Sequence, residues 1–334
     1  MNPVIDIRPL VERIEATVRS HRLDTPGAYQ RWLWQNPAND RKLGVNEYGC
    51  ADAANILYTI GCFPSHPGDR EAFVNTLQDL QDPATGMFSE ATHQPIHCTA
   101  HCIAALELFD ARPRHKLHDL TPLKSCGALH AFLEKLHWAE HPWPHSHLGA
   151  GLYAALVLAD EVDAAWQDSY FEWLWNEADP ATGLWRKNCI PSAPGELFPH
   201  LAGSFHYLFN HEYARRPLRY PGRMVDTCLK IIATDDRYLS RGAEFADIDW
   251  VYCLNRSLRQ SGHRPAESLD ALHAFATKYC AMLSAIDTAK DENWNDLHKL
   301  FGATCALAEL QSALPGLIRT ERPLRLVLDR RPFI

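Results

Sequence analysis

The sequence predicts an all-α protein built as an (α/α)6 toroid, and three observations predict it. Helical periodicity dominates, and no segment alternates polar and apolar residues for long enough to make a strand. Helices that are mostly apolar and rich in small residues alternate with helices whose charges recur on one face. Equivalent polar or aromatic residues, Tyr48, His97, His147, His200, Asp249 and His298, recur at steps of 49, 50, 53, 49 and 49 residues, the length of one helical hairpin. Six hairpins close a ring, and closure removes the need for the capping repeats of an open solenoid.

The elements follow in order. Residues 1–45 read as a helical lead-in: MNPVIDIRPLVERIEATVRSHRL intersperses Asp6, Arg8, Glu12, Arg13 and Glu15 with apolar residues, the pattern of an amphipathic helix rather than of a signal peptide or membrane span. The inner helices are NEYGCADAANILYTI, HCTAHCIAALELF, HLGAGLYAALVLA, HLAGSFHYLF, DIDWVYCLNRSL and LHKLFGATCALAEL, nearly uncharged over three turns and therefore buried on most sides. Between them DREAFVNTLQDLQ, SCGALHAFLEKL, DAAWQDSYFEWLWNEA, GRMVDTCLKIIA and PAESLDALHAFATKYCAML are the outer partners. The word DPATG occurs at residues 82–86 and 179–183, two repeats apart, and predicts a turn from an outer to an inner helix. Asp and Pro initiate it, Gly supplies a positive φ, and Phe88 or Trp185 pins it to the body. The Arg-rich residues 315–334 also contain Glu321, Asp329 and several aliphatics, and read as a strap across a single domain of 334 residues.

Composition bounds the function. A hydrophobic fraction of 46% with 22% charged residues is that of a chain that folds in water. The net charge of −8 and the lack of a Lys/Arg run exclude a nucleic-acid surface and leave small molecules as the expected partners. Ten cysteines fall mostly inside apolar helices, which suggests reduced, buried thiols and a cytoplasmic location. No dinucleotide or phosphate-binding loop, Ser/His/Asp arrangement or CxxC pair is present.

LQDLQDPATGMF followed by HCTAHCIAALELF resembles the repeats of terpenoid cyclase and protein prenyltransferase toroids, and DPATGLW is similar to the turn of six-hairpin glycosidases such as unsaturated glucuronyl hydrolases. The resemblance implies a cavity at the N-terminal ends of the inner helices, where unpaired backbone N–H groups favour anionic or electron-rich ligands. The six repeat-equivalent residues would line its mouth. With them come Cys50, Asp52, His101, Trp143, His145, His206, Asp247, Trp250, Trp294 and Asp296. In FADIDWVYC, Asp247 is positioned to cap its helix, leaving Asp249 to face the axis among apolar neighbours that raise its pKa toward that of a general acid. The word DIDW is similar to the Asp-rich motif of class II terpenoid cyclases, with Trp250 in place of the last Asp. Asp249 and His298 also sit where prenyltransferases hold zinc, although those enzymes use Asp-x-Cys.

The expected function is an intracellular enzyme acting by acid/base chemistry on a carbohydrate or carbohydrate-derived substrate, of the glycoside hydrolase, lyase or epimerase type. Asp249, His298, His200 and Asp52 are the candidate catalytic groups. Tyr48, His97, His101, His147, His206 and Asp247 are the candidate substrate contacts, with Trp143, Trp185, Trp250 and Trp294 as platforms for a sugar face or a carbocation. Two alternatives stand beside it: a terpenoid-cyclase- or prenyltransferase-like enzyme using Asp249 on an isoprenoid, and a non-catalytic binding toroid. No cofactor is expected; a divalent metal at Asp249 and His298 is the lesser alternative. His97 and His101, four apart on one helix face, could chelate but lack a third ligand in sequence.

Overall fold

The computed structural model describes residues 3–36, 41–234 and 236–334; residues 1, 2 and 37–40 of the lead-in lie outside the described residues. About twelve substantial helices pack against one another: α1 (Arg8–Ser20), α2 (Glu47–Thr59), α3 (Pro67–Asp79), α4 (Pro95–Glu107), α5 (Cys126–Glu134), α6 (Pro142–Leu158), α7 (Ala164–Glu177), α8 (Leu197–Tyr213), α9 (Pro221–Thr234), α10 (Ala246–Ser261), α11 (Pro265–Ala285) and α12 (Leu297–Ala313), followed by the single turn α13 (Val327–Arg330). The β structure among the described residues is slight. A parallel pair joins β1 (Ile5–Asp6) to β2 (Ile318–Arg319) and ties the two ends of the chain together.

Local chemistry sets the helix starts. The helices α3, α4, α6, α9 and α11 each begin on a proline, whose fixed φ suits the first helical position and whose missing N–H has no partner to lose there. Side-chain caps start others: Asn46 for α2, Ser125 for α5, Asp163 for α7 and Asp296 for α12. The alternation read from the sequence is present in the packing. Nearly every residue of α2, α4, α8, α10 and α12 is buried, whereas α1, α3 and α5 bury two or three residues each. Each fully buried Leu, Ile or Phe of the first group contributes about 1.5–3 kcal/mol. Helix α2 packs on α4, α4 on α6, α6 on α8, α8 on α10, α10 on α12, and α12 back on α2. Around them α3 touches α2 and α4, α9 touches α8 and α10, and α11 touches α10 and α12.

The two DPATG turns are the same structure made twice. Each joins an outward helix to a buried one, α3 to α4 and α7 to α8. Asp82 Oδ1 accepts the Ala84 amide at 2.7 Å and Asp179 Oδ1 accepts the Thr182 amide at 2.8 Å. The glycines Gly86 and Gly183 have φ of +76° and +77°, and a Cβ on Gly86 would lie 1.9 Å from the Lys116 carbonyl oxygen. The pinning residue is then held by the next helix: the Phe88 amide donates to Thr99 Oγ1 and the Trp185 amide to Ser204 Oγ, at 2.9 and 3.0 Å.

The strap does more than cross the body. Its α13 packs on both α2 and α8, and Arg331, Phe333 and Ile334 are buried. Phe333 meets His97 of α4 and Phe209 of α8, while the Arg331 guanidinium lies over Phe301 of α12. All ten cysteines are free thiols, seven of them buried. Among the described residues no helix is long and apolar enough to cross a membrane.

Candidate functional site

The starts of α2, α4 and α12 meet the lead-in at one place. Asn46 caps α2 by accepting the Tyr48 amide, and Asp296 caps α12 by accepting the His298 amide at 3.0 Å. Gly49 lets the lead-in cross closely over α2, since a Cβ there would stand 2.5 Å from the Gln30 carbonyl carbon. That crossing delivers Arg31. Its guanidinium forks onto Asp296 at 2.7 and 3.0 Å, donates to Thr92 Oγ1 at 2.7 Å, and lies 4.9 Å from the centre of the Tyr48 ring.

Behind Tyr48 lies a carboxylate with two imidazoles. Asp52 stands one turn beyond Tyr48 and His101 one turn beyond His97, so each pair shares a helix face. His101 Nε2 is 2.7 Å from Asp52 Oδ1, and His298 Nδ1 is 3.1 Å from Asp52 Oδ2. His97 Nδ1 is 2.5 Å from Tyr48 Oη, and His93 Nδ1 is 2.7 Å from Thr92 Oγ1. The rings form one stack: His93 and His101 lie at 4.6 and 5.0 Å from Tyr48, with His298 edge-on at 4.5 Å. His147 extends it at 4.5 Å from His97, and His206 at 4.6 Å from His147. Ser146 Oγ holds His206 Nδ1 at 2.9 Å.

Burial divides these groups by charge. It works to raise the Asp52 carboxyl, but the His101 and His298 imidazoles reverse this and hold it below the usual carboxylate range. Burial lowers His298 to about 3 and His206 to about 3, and lowers His97 and His147 well below the ordinary imidazole value, with neighbouring imidazoles adding to the effect at His97 and His147. His97, His101, His147, His206 and His298 are therefore neutral imidazoles beside one ionised carboxylate near neutral pH. His93 is its contact with the surface, 19% exposed in its side chain against 4% for His298 and none for Asp52. Outside it a cleft of about 610 Å³ is lined by Arg31, Trp32, Arg41, Glu292, Asp296 and Lys299, among others.

Of the expected site residues, Tyr48, Asp52, His97, His101, His147, His206 and His298 come together. His147 does so from the second turn of its helix, because α6 starts at Pro142. Others stand apart. His200 has no ring contact with the cluster, and its Nδ1 lacks a partner among the described residues. Asp247 does not cap α10: its Oδ1 accepts the Ser240 amide at 2.7 Å, and burial raises its carboxyl to about 7. Neither oxygen of Asp249 has a hydrogen-bond partner among the described residues, and burial, with Asp247 adding to it, raises its carboxyl well above the ordinary value.

Three tryptophans expected as platforms have no open face. Trp185 is 2% exposed, donates to the Leu174 carbonyl and stacks on His211. Trp250 donates to the Cys228 carbonyl and packs on Phe275 of α11. Trp294 is 1% exposed and packs beneath Arg13 of α1. Trp250 thus reaches α9 and α11, Trp185 lies between α7 and α8, and Trp294 lies against α1. Trp143 remains half-buried, edge-on to Phe198.

Sequence reasoning missed His93, Thr92, Glu90, Arg31 and Arg331. A signal existed for the first: His93, His97 and His101 are spaced by four and four, one helical face extended a turn beyond the helix start. Comparison with family models, with curated proteins and with solved structures finds no match for this chain.

Proposed function

We propose that the chain is a single-domain (α/α)6 toroid and an acid/base enzyme acting on a carbohydrate or carbohydrate-derived small molecule where the inner helices begin. The cyclic order of packing from α2 through α12 and back to α2 supports the architecture. The reading rests on one observation, the Asp52 carboxylate bonded to His101 and His298 beside the Tyr48–His97 pair. Asp52 would hold the His298 Nδ1–H in place and stabilise the cation formed when the other ring nitrogen takes a proton. Tyr48 and His97 would return a proton on the other side. The cleft of alternating charges beside Trp32 suits hydroxyls and carboxylates better than an isoprenoid chain. The free thiols suit the reducing cytoplasm expected from the sequence.

A thermal-shift screen of uronic acids, aldoses and disaccharides beside prenyl diphosphates tests the substrate class. A ligand at 100 times its dissociation constant stabilises by about 2.7 kcal/mol. Turnover of the stabilising compound should fall about 100- to 10,000-fold in Asp52→Asn. Stabilisation by prenyl diphosphates alone, or full activity of Asp52→Asn, would overturn the reading.

A second reading has its own observation: the Asp249 carboxyl, without a hydrogen-bond partner among the described residues and kept protonated by burial, holds a proton that it could deliver to an alkene. Here Asp249→Asn, rather than Asp52→Asn, would abolish turnover, on a prenyl substrate.

A further inference from the structure

The cluster contains two overlapping sets of metal-ligating groups that share His298. One ring nitrogen from each of His93, His97 and His298 lies within 4.8 Å of the others, and so do the ligand atoms of Asp52, His101 and His298. The second set is already accounted for by its own hydrogen bonds, in which Asp52 takes both imidazoles. The first set is not. In each of its three rings Nδ1 has a hydrogen-bonding oxygen: Thr92 Oγ1 for His93, Tyr48 Oη for His97 and Asp52 for His298. No hydrogen bond engages the Nε2 of any of the three among the described residues. Three imidazoles with Nδ1 held by oxygen and Nε2 free form the arrangement that fixes ring orientation and tautomer in histidine metal centres, where the second nitrogen donates to a carboxylate, hydroxyl or carbonyl.

We propose that His93, His97 and His298 bind one divalent transition-metal cation of the zinc class, with Asp52, Tyr48 and Thr92 as its orienting shell.

Imidazole ligands select this class over calcium or magnesium, which take oxygen. Three protein ligands leave a fourth position for water or substrate, as in catalytic rather than structural zinc sites. Tetrahedral zinc with bonds of about 2.0–2.1 Å sets ligand nitrogens roughly 3.3 Å apart, so the rings draw together on binding. His93, on a loop and partly exposed, is the ring free to make that movement and stands at the way in. Carboxylates stand beside the set: Asp52 against His298, and Glu90 and Asp296, both paired with Arg31. The inference deepens the proposed function, because a metal-bound water would then replace an imidazole as the base. It rests on that reading only for placing a substrate here.

The test needs no substrate. Protein stripped with a chelator is titrated with Zn²⁺ by calorimetry, and with Co²⁺ as a visible-absorption probe, alongside His93→Gln, Thr92→Val and His101→Gln, each checked for parental helicity. One equivalent should bind the parent. His93→Gln should lose binding by 100-fold or more, and Thr92→Val should weaken it about 10- to 100-fold as an orienting partner. A folded parent that binds no zinc overturns the inference, as does a folded His93→Gln that binds like the parent. Loss confined to His101→Gln would assign the cation to the other set and overturn this one. Failure here leaves the sugar screen to stand or fall by itself.

Discussion

Asp52 and Asp249 occupy comparable places and arrive at opposite states. Both sit in the first half of a buried helix, α2 and α10, and both are at most 1% exposed. Asp52 meets two imidazoles and stays ionised; Asp249 meets no hydrogen-bonding partner among the described residues and stays protonated. Burial alone would raise both. Whether a buried carboxyl carries charge is decided by the donors the neighbouring helices bring to it, and α4 and α12 bring them only to Asp52.

The comparison breaks most visibly under apolar replacement. Asp52→Leu removes the acceptor from His101 and His298 and should cost about 1.5–3 kcal/mol for each charged hydrogen bond lost. Asp249→Leu removes a polar group that has no partner and should stabilise the protein by about 1–3 kcal/mol. Denaturant unfolding of the two variants measures both, and changes of the same sign would end the contrast. A subtler effect lies with pH. The Asp247 carboxyl, raised to about 7, keeps its proton in the folded state while the unfolded chain loses it from about pH 3.8 upward. Between those values the unfolded chain binds fewer protons, so stability falls as pH rises, by up to about 1.4 kcal/mol per unit. Asp247→Asn keeps an acceptor for the Ser240 amide and should flatten that slope, read from unfolding midpoints at pH 4.5, 5.5 and 6.5.

Much of the fold was legible because it repeats. The spacing from Tyr48 to His298 and the two DPATG words marked buried helices and their turns, since a repeated structural problem is met with the same residues. The side of the site built within repeats was legible for the same reason: Tyr48 with Asp52 and His97 with His101 are one-turn pairs on single helices. What the repeat does not encode was hidden. Arg31 comes from the lead-in and Arg331 from the tail, and nothing in local periodicity shows that segments 300 residues apart border one cluster. The direction of Trp250 was hidden too, because a helix buried on all sides has no polar face to tell inward from outward, and that of Trp185 and Trp294 because both lie in turns between helices, where helical periodicity gives no direction.

The tail has one more implication. With α13 packed on α2 and α8, and with Phe333 against both His97 and Phe209, the tail lies directly against the cluster and would close one end of the proposed toroid beneath it. A bore open at both ends would let a polymer thread through and be cut anywhere along its length. A pocket closed in this way would admit only a free terminus or a small molecule, and under the proposed reading product would have to leave by the way substrate came in. If the substrate is a glycan, it would be trimmed one unit at a time from its end.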